Sequence, residues 1–266
     1  MTALKERPIL FSGPMVRALL DGRKTQTRRV VKLDVPTDAD EVFFWSGEDL
    51  RRKGWRNVSE PGLWARRNGR DGYIQRAGPC PYGVPGDRLW VKETWRPTAA
   101  VQPWDLDVAY HADGAVRTIK DGDFGDRDWT MPKAAARGNV SPLFMPRWAS
   151  RLTFEITEVR VERLADISRA DAIAEGATLQ PIGVAPGGGW SMDWSRVGAH
   201  GWNGDPVTAR DIALGDPQMA FANFINELHG GPRWNFYYNG DGRYPEPIFD
   251  ANPWVWALTL RELERA

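Results

Sequence analysis

The run Arg151-Leu152-Thr153-Phe154-Glu155-Ile156-Thr157-Glu158-Val159-Arg160-Val161-Glu162-Arg163-Leu164 reads as one long strand whose inward face changes parity. Leu152, Phe154 and Ile156 share one side, whereas Val159 and Val161 fall on the other. Strand side chains alternate with a period of two, so one extra residue flips everything after it. The pattern predicts a β-bulge near Glu158, a device that curls a sheet toward a barrel.

Other strands are legible on either side. Arg7–Phe11 and Thr27–Val31 are short candidates, and Val108–His111 is a third. Asp87–Trp95 alternates, with Leu89, Val91 and Glu93 on one face and Trp90, Lys92 and Thr94 on the other. The second face carries an indole, an ammonium and a hydroxyl, which suits a wall facing a ligand. Trp254–Leu260 alternates as well. Three helices are expected. Pro14 to about Asp21 has Ser12 as cap, Val16, Leu19 and Leu20 as its buried face, and Gly22 as stop. Ser168-Arg169-Ala170-Asp171 begins a second in the manner of a capping box, and Gly176 ends it. Asp216-Pro217 opens a third, with Phe221, Phe224, Ile225 and Leu228 on one face and Gly230 as its stop. The expectation is a single α+β domain over 1–266, with unpatterned insertions at about 34–80, 96–140 and 180–215 and no internal repeat.

Composition narrows the function. The 266 residues are 42% hydrophobic and 26% charged, ordinary for a globular chain. No run approaches a membrane span and the first residues lack a signal-peptide core, so no membrane partner is expected. The one cysteine, Cys80, excludes an internal disulfide and suggests a reducing, cytoplasmic setting. Net charge is zero, which argues against a generic polyanion binder, yet residues 1–80 hold 16 Lys/Arg against 10 Asp/Glu. Eight basic residues lie between Arg51 and Arg76, interleaved with Trp55, Trp64 and Tyr73. Basic groups with aromatic faces can track a nucleic-acid strand; a solvated arginine-rich excursion has the same composition. Fourteen tryptophans stand out, several beside a cation, including Trp90 near Lys92 and Trp148 after Arg147. Most must fill cores, which leaves two or three to line a cleft.

The densest chemistry is Gly22-Arg23-Lys24-Thr25-Gln26-Thr27-Arg28-Arg29. A lysine, two hydroxyls, an amide and guanidinium groups behind a packed helix can bind or process an anionic, hydrogen-bonding ligand; they can also be a solvated strand start. Glu175 is the most suggestive carboxylate, because the negative end of its helix disfavours ionisation and burial adds to that. Standard signatures are missing: no nucleophile elbow, no phosphate-loop spacing before Lys24, and no strand ahead of the Gly187–Gly189 run. His111, His200 and His229 are scattered and Cys80 is alone, so neither a metal nor a cofactor is expected.

Pro8-Ile9-Leu10-Phe11, the 22–29 cluster and Gly86-Asp87-Arg88-Leu89-Trp90-Val91-Lys92-Glu93-Thr94-Trp95 together resemble the ASCH domain family. Met145-Pro146-Arg147-Trp148-Ala149-Ser150-Arg151, the strand to Leu164 and Asn252-Pro253-Trp254-Val255-Trp256 extend the likeness over roughly half the chain. The arrangement is similar to ASCH proteins of bacteriophages and prophages. The resemblance implies a PUA-like curled β-barrel with surrounding helices, and a partner that is nucleic acid or a modified nucleoside. It also implies an amidohydrolase that removes the acyl group from an N4-acylated cytidine, with Lys24, Thr27 and Glu175 as catalytic residues. Glu175 is matched through Glu175-Gly176-Ala177-Thr178-Leu179. Arg28, Arg29, Trp90, Lys92, Arg147 and Trp148 would hold the base or the strand. Lys24 and Thr27 fall on opposite faces of a regular strand, so joint action requires a turn at Arg23–Gln26. Two alternatives remain: a binding module for RNA, DNA or a modified base without catalysis, and a metal-independent ribonuclease.

Overall fold

The computed structural model describes residues 4–32, 41–45, 61–66, 74–99, 105–124, 131–182, 188–199, 205–229 and 248–265. The chain is α+β. Its contacts divide it into two units, each discontinuous in sequence: Met1–Gly22, Tyr82–Thr157 and Leu260–Ala266 form the first; Arg23–Pro81 and Glu158–Thr259 form the second.

The first unit is built on β1 (Glu6–Leu10), which runs parallel to β6 (Arg88–Lys92) from Glu6↔Arg88 to Leu10↔Lys92. β6 in turn pairs antiparallel with β10 (Leu152–Arg163) through Thr153↔Trp90. The alternation of β6 is as expected: Leu89 and Val91 are buried, Trp90 and Lys92 half-buried. Helix α1 (Gly13–Leu20) buries Met15, Val16, Ala18 and Leu19 rather than the expected face with Leu20. Gly22 follows at φ 68°, the left-handed geometry of a helix stop. Ser12 does not cap through its side chain. Pro14, early in the first turn, has no N–H to offer it, and the Ser12 Oγ is buried without a hydrogen-bond partner among the described residues.

Residues 96–140, expected to be weakly patterned, contain a three-stranded antiparallel sheet. It comprises β7 (Trp95–Ala99), β8 (Leu106–Tyr110) and β9 (Val116–Ile119), paired Trp95↔Tyr110 and Leu106↔Ile119. Trp95, Val108, Tyr110, Ile119, Val140 and Met145 close over it as one apolar cluster.

The second unit pairs β2 (Gln26–Val30) antiparallel with β13 (Trp254–Arg265), Thr27 facing Leu258. The region from 34 to 80 holds a second correction: β3 (Glu41–Trp45), β4 (Gly62–Arg66) and β5 (Ile74–Gly78) form an antiparallel sheet there. Gly62, Leu63, Trp64 and Ala65 are all buried, so β4 has no polar face for a period of two to reveal. At the start of the 180–215 region, β11 (Thr178–Gln180) pairs antiparallel with β12 (Gly189–Ser191). Helices α2 (Arg169–Ala174), α3 (Ala209–Ile212), α4 (Pro217–Leu228) and α5 (Ile248–Ala251) complete the unit. Phe221 and Ile225 of α4 pack with Leu164, Ala172, Ala177 and Val255. Phe224 is only partly buried and Leu228 is exposed, so the expected apolar stripe is narrower than its spacing suggests.

Strands β10 and β13 pass from one unit into the other, and the hydrogen-bonded order is β1-β6-β10-β13-β2. Along β10, Leu152, Phe154 and Ile156 are buried, Thr157 and Glu158 are both exposed, and Val159 is buried again. That is the expected phase slip. The order nevertheless ends at β1 and β2, and no closed barrel is present among the described residues. In β13, Val255 to Leu258 are buried in succession, so the expected alternation gives way to a strand covered on both faces. No described helix is long and apolar enough to cross a membrane.

Candidate functional site

Three residues between Gly22 and β2 are stitched to the end of α2. The Thr25 amide donates to the Ala174 carbonyl at 2.8 Å. Lys24 Nζ donates to the Glu175 carbonyl at 3.1 Å, and Arg23 Nη1 to that of Gly176 at 3.1 Å. A helix ends with carbonyls lacking intrahelical donors and with partial negative charge. The basic segment answers both needs. Ser168 fixes the other end of α2 by accepting from the Asp171 amide at 3.1 Å, and Gly176 turns the chain at φ 112°. Glu175 is thereby the C-cap, one position past the last helical residue.

The side chains then meet. Lys24 Nζ is hydrogen-bonded to Glu175 Oε2, and Arg28 Nη1 lies 3.2 Å from Glu175 Oε1, so each carboxylate oxygen faces one cation. Lys24 and Glu175 are each 1% exposed and Arg28 is 3% exposed. Arg28 also donates through Nε to Glu162 Oε1 at 2.7 Å, and its Nη2 stands 3.2 Å from Asp171. Asp171 is shared with Arg160, 3.2 Å away. Three cations and three carboxylates thus balance in one half-closed network, which is what allows ionised groups to be buried at all. Burial pushes the Lys24 amine below its ordinary range; the Glu175 carboxylate opposes that, and Arg29 and Arg28 add to it. At Asp171, burial works against the charge, but the Ser168 hydroxyl, Arg28, Arg160 and Gln26 outweigh it and hold the carboxyl low.

Thr27 is fully buried, and its hydroxyl has no hydrogen-bond partner among the described residues. Alternation along β2 places it on the side opposite Gln26 and Arg28, which hydrogen-bond each other at 3.3 Å. Arg29 shares the Thr27 side and pairs across the ladder with Trp256. Residues 23–25 are irregular and form no turn, so the turn expected to bring Lys24 and Thr27 together is not there.

No protein-family model, curated protein or solved structure matches this chain.

The remaining site candidates gather in the first unit. Trp90 has Lys92 Nζ 5.5 Å and the Arg147 guanidinium 5.9 Å from its ring centroid. Lys92 also donates to the Leu143 carbonyl, and burial lowers its amine below the ordinary range. Trp148 is packed edge-on against Trp95 and Phe124, with centroids 6.0 and 4.9 Å away, so its ring belongs largely to the core. In the arginine-rich 51–76 segment, Trp64 is buried in β4, whereas Trp55 and Tyr73 lie outside the described residues. Among the described residues no group of three His, Cys, Asp or Glu could hold a metal ion.

Sequence reasoning missed Glu162, Asp171 and Arg160 as members of the network. A signal existed: Glu158, Arg160 and Glu162 share one parity of β10, a charged stripe along its second half. Asp171 was legible only as a capping residue.

Proposed function

We propose that the chain is an ASCH-type, PUA-like protein acting on nucleic acid or a modified nucleoside, and that it removes the acyl group from an N4-acylated cytidine-type base. The observation that carries this reading is the meeting of Lys24 with Glu175 across 151 positions of sequence. An amide held at this pair would be attacked at its carbonyl by water or by the Thr27 hydroxyl. Transfer of the shared proton from Lys24 to Glu175 frees the amine's lone pair, which takes the nucleophile's proton. The Glu175 carboxyl then gives its proton to the leaving exocyclic amine, and the pair returns to ammonium and carboxylate. The C–N bond breaks, a C–O bond forms, and the products are the free base and a carboxylic acid; attack by Thr27 adds an ester intermediate that water hydrolyses. Arg28, tied to three carboxylates, would position Glu175 rather than touch the base. Because Lys24 and Glu175 are closed to solvent, substrate has to open the layer that covers them.

The test is a mass-spectrometric screen of N4-acetylcytidine and related acylated nucleosides, free and within RNA. Acyl release by the wild type that disappears in Lys24→Ala, with folding verified, supports the reading. No release from any of them ends it. The second reading is a binding module, favoured by the cations placed over Trp90. It predicts strand or nucleoside affinity that survives Lys24→Ala without any turnover. Cleavage of the RNA itself would point instead to a metal-independent ribonuclease.

A further inference from the structure

The first unit contains a cavity of about 250 Å³ walled by Arg117, Arg147, Arg151 and Thr153, with the exposed Asp123 on the same lining. A water takes roughly 30 Å³ in the liquid, so the space suits a small organic group rather than a single ion. Three guanidinium groups converge there, but they are not equally committed.

Arg151 grips both oxygens of Glu93 at 2.9 and 3.0 Å and both oxygens of Asp113 at 2.8 and 3.0 Å. Its charge is spent within the protein. Arg147 gives Nε to Glu6 at 3.2 Å and Nη2 to the Thr153 hydroxyl oxygen at 3.2 Å. Glu6 also lies 3.7 Å from Arg88, so one carboxylate serves two cations. Arg117 meets neutral acceptors alone: its Nη1 reaches the Trp148 and Ser150 carbonyls at 3.4 and 3.3 Å, and the Tyr110 hydroxyl is nearby. Among the described residues it has no carboxylate within ion-pair distance. Thr153, accepting from Arg147, retains its own O–H to donate.

We infer that this cavity binds a phosphate monoester, seated between Arg117 and Arg147 with the Thr153 hydroxyl as a further donor. Guanidinium forks match the tetrahedral oxygens of phosphate, and charge-assisted bonds of this kind are the strong ones. The volume left over accommodates part of the group that carries the phosphate. A mononucleotide and the phosphorylated end of a strand share this chemistry. The site lies wholly in the first unit, whereas Lys24 and Glu175 belong to the second, and it does not depend on the deacylase reading.

The test is calorimetric titration of the full chain with a nucleoside 5′-monophosphate, the same nucleoside unphosphorylated, inorganic phosphate, and oligonucleotides with and without a 5′-phosphate. Binding that requires the phosphate is expected, whether the mononucleotide or only the phosphorylated strand end delivers it. Arg117→Gln should weaken binding at least about tenfold, the loss of one charge-assisted contact. Asp123→Asn should bind as tightly as wild type or tighter. Should Arg117→Gln not fold, the indole N–H resonance of Trp148, identified through Trp148→Phe, must shift when phosphate is added to the wild type. Equal affinity with and without phosphate, an unmoved Trp148 signal at millimolar phosphate, or wild-type affinity in folded Arg117→Gln would each overturn the proposal. Absence of acyl release would sink the deacylase reading and leave this titration standing.

Discussion

Lys24 and Glu175 form a buried ion pair on which both the proposed reaction and the fold would rest, and substitutions separate the two. Lys24→Met leaves the Glu175 carboxylate with Arg28 alone, in a place closed to water. Breaking a buried pair on one side costs about 3–5 kcal/mol, whereas replacing both partners by apolar groups is often close to neutral. Urea unfolding followed by tryptophan fluorescence should therefore show a large loss for Lys24→Met and recovery of most of it in Lys24→Met/Glu175→Leu. Both variants should release no acyl group. Thr27→Val asks the opposite question. The Thr27 hydroxyl is buried without a partner among the described residues, so valine of nearly the same shape removes a desolvated polar group. Stability should hold or rise by about 1 kcal/mol. If the hydroxyl acts in catalysis, acyl release falls in this variant although the fold is sounder, a combination that a purely structural threonine cannot produce.

Elements carry the site, and their end signals can be tested. Ser168→Ala removes the hydroxyl that caps α2 and supports Asp171, and should cost about 1 kcal/mol by the same unfolding measurement. Two glycines make a sharper contrast. Gly83 and Gly86 both have positive φ, 122° and 95°, but a Cβ on Gly83 would come within 2.6 Å of Asp87 Oδ2 and 2.9 Å of Arg7 Nη1, while Gly86 has open space. Asp87 accepts from Arg7 at 2.8 Å and from the Lys5 amide at 3.1 Å, so Gly83→Ala disturbs the start of β1 as well. It should lose at least about 1 kcal/mol more than Gly86→Ala. The sequence announced elements whose ends are written in local chemistry: α1 and α2 with their glycine stops, and β6 and β10 with alternating faces. It concealed β4 and the middle of β13, where burial on both sides erases the alternation that marks a strand. Within the site, Lys24 and Glu175 were legible because short signals frame each of them. The ties from Arg28 to Glu162 and Asp171 were not, since contacts 134 and 143 positions apart depend on how the strands are ordered.

For the molecule as a whole, charge and pH connect the two units, because each contains a buried glutamate held by arginine. The groups whose protonation the fold does shift, Glu93, Asp113, Asp171 and Lys24, do not all shift the same way. Burial raises the Glu93 carboxyl above its ordinary 4.5, against the pull of Arg151 and with a push from Asp113. The native chain therefore takes up that proton before the unfolded chain does, and stability rises as pH falls from the raised value to about 4.5. Asp113 and Asp171 lie below their ordinary 3.8, since hydrogen bonds and arginines outweigh their burial. The unfolded chain binds those protons first, so the stability they contribute is complete above 3.8 and is lost as pH falls through their native values. Lys24, depressed below 10.5, acts at the other end: the unfolded chain holds that proton longer, and stability rises as pH climbs from the native value toward 10.5. Urea midpoints measured against pH should thus hold or rise down to about 4.5 and then fall steeply below 3.8. Glu93→Gln should remove the rise, and Asp171→Asn should shallow the fall. An acid limb unchanged by Asp171→Asn would mean that the Arg28 and Arg160 contacts contribute nothing to folding, and the network around Glu175 would lose its electrostatic rationale.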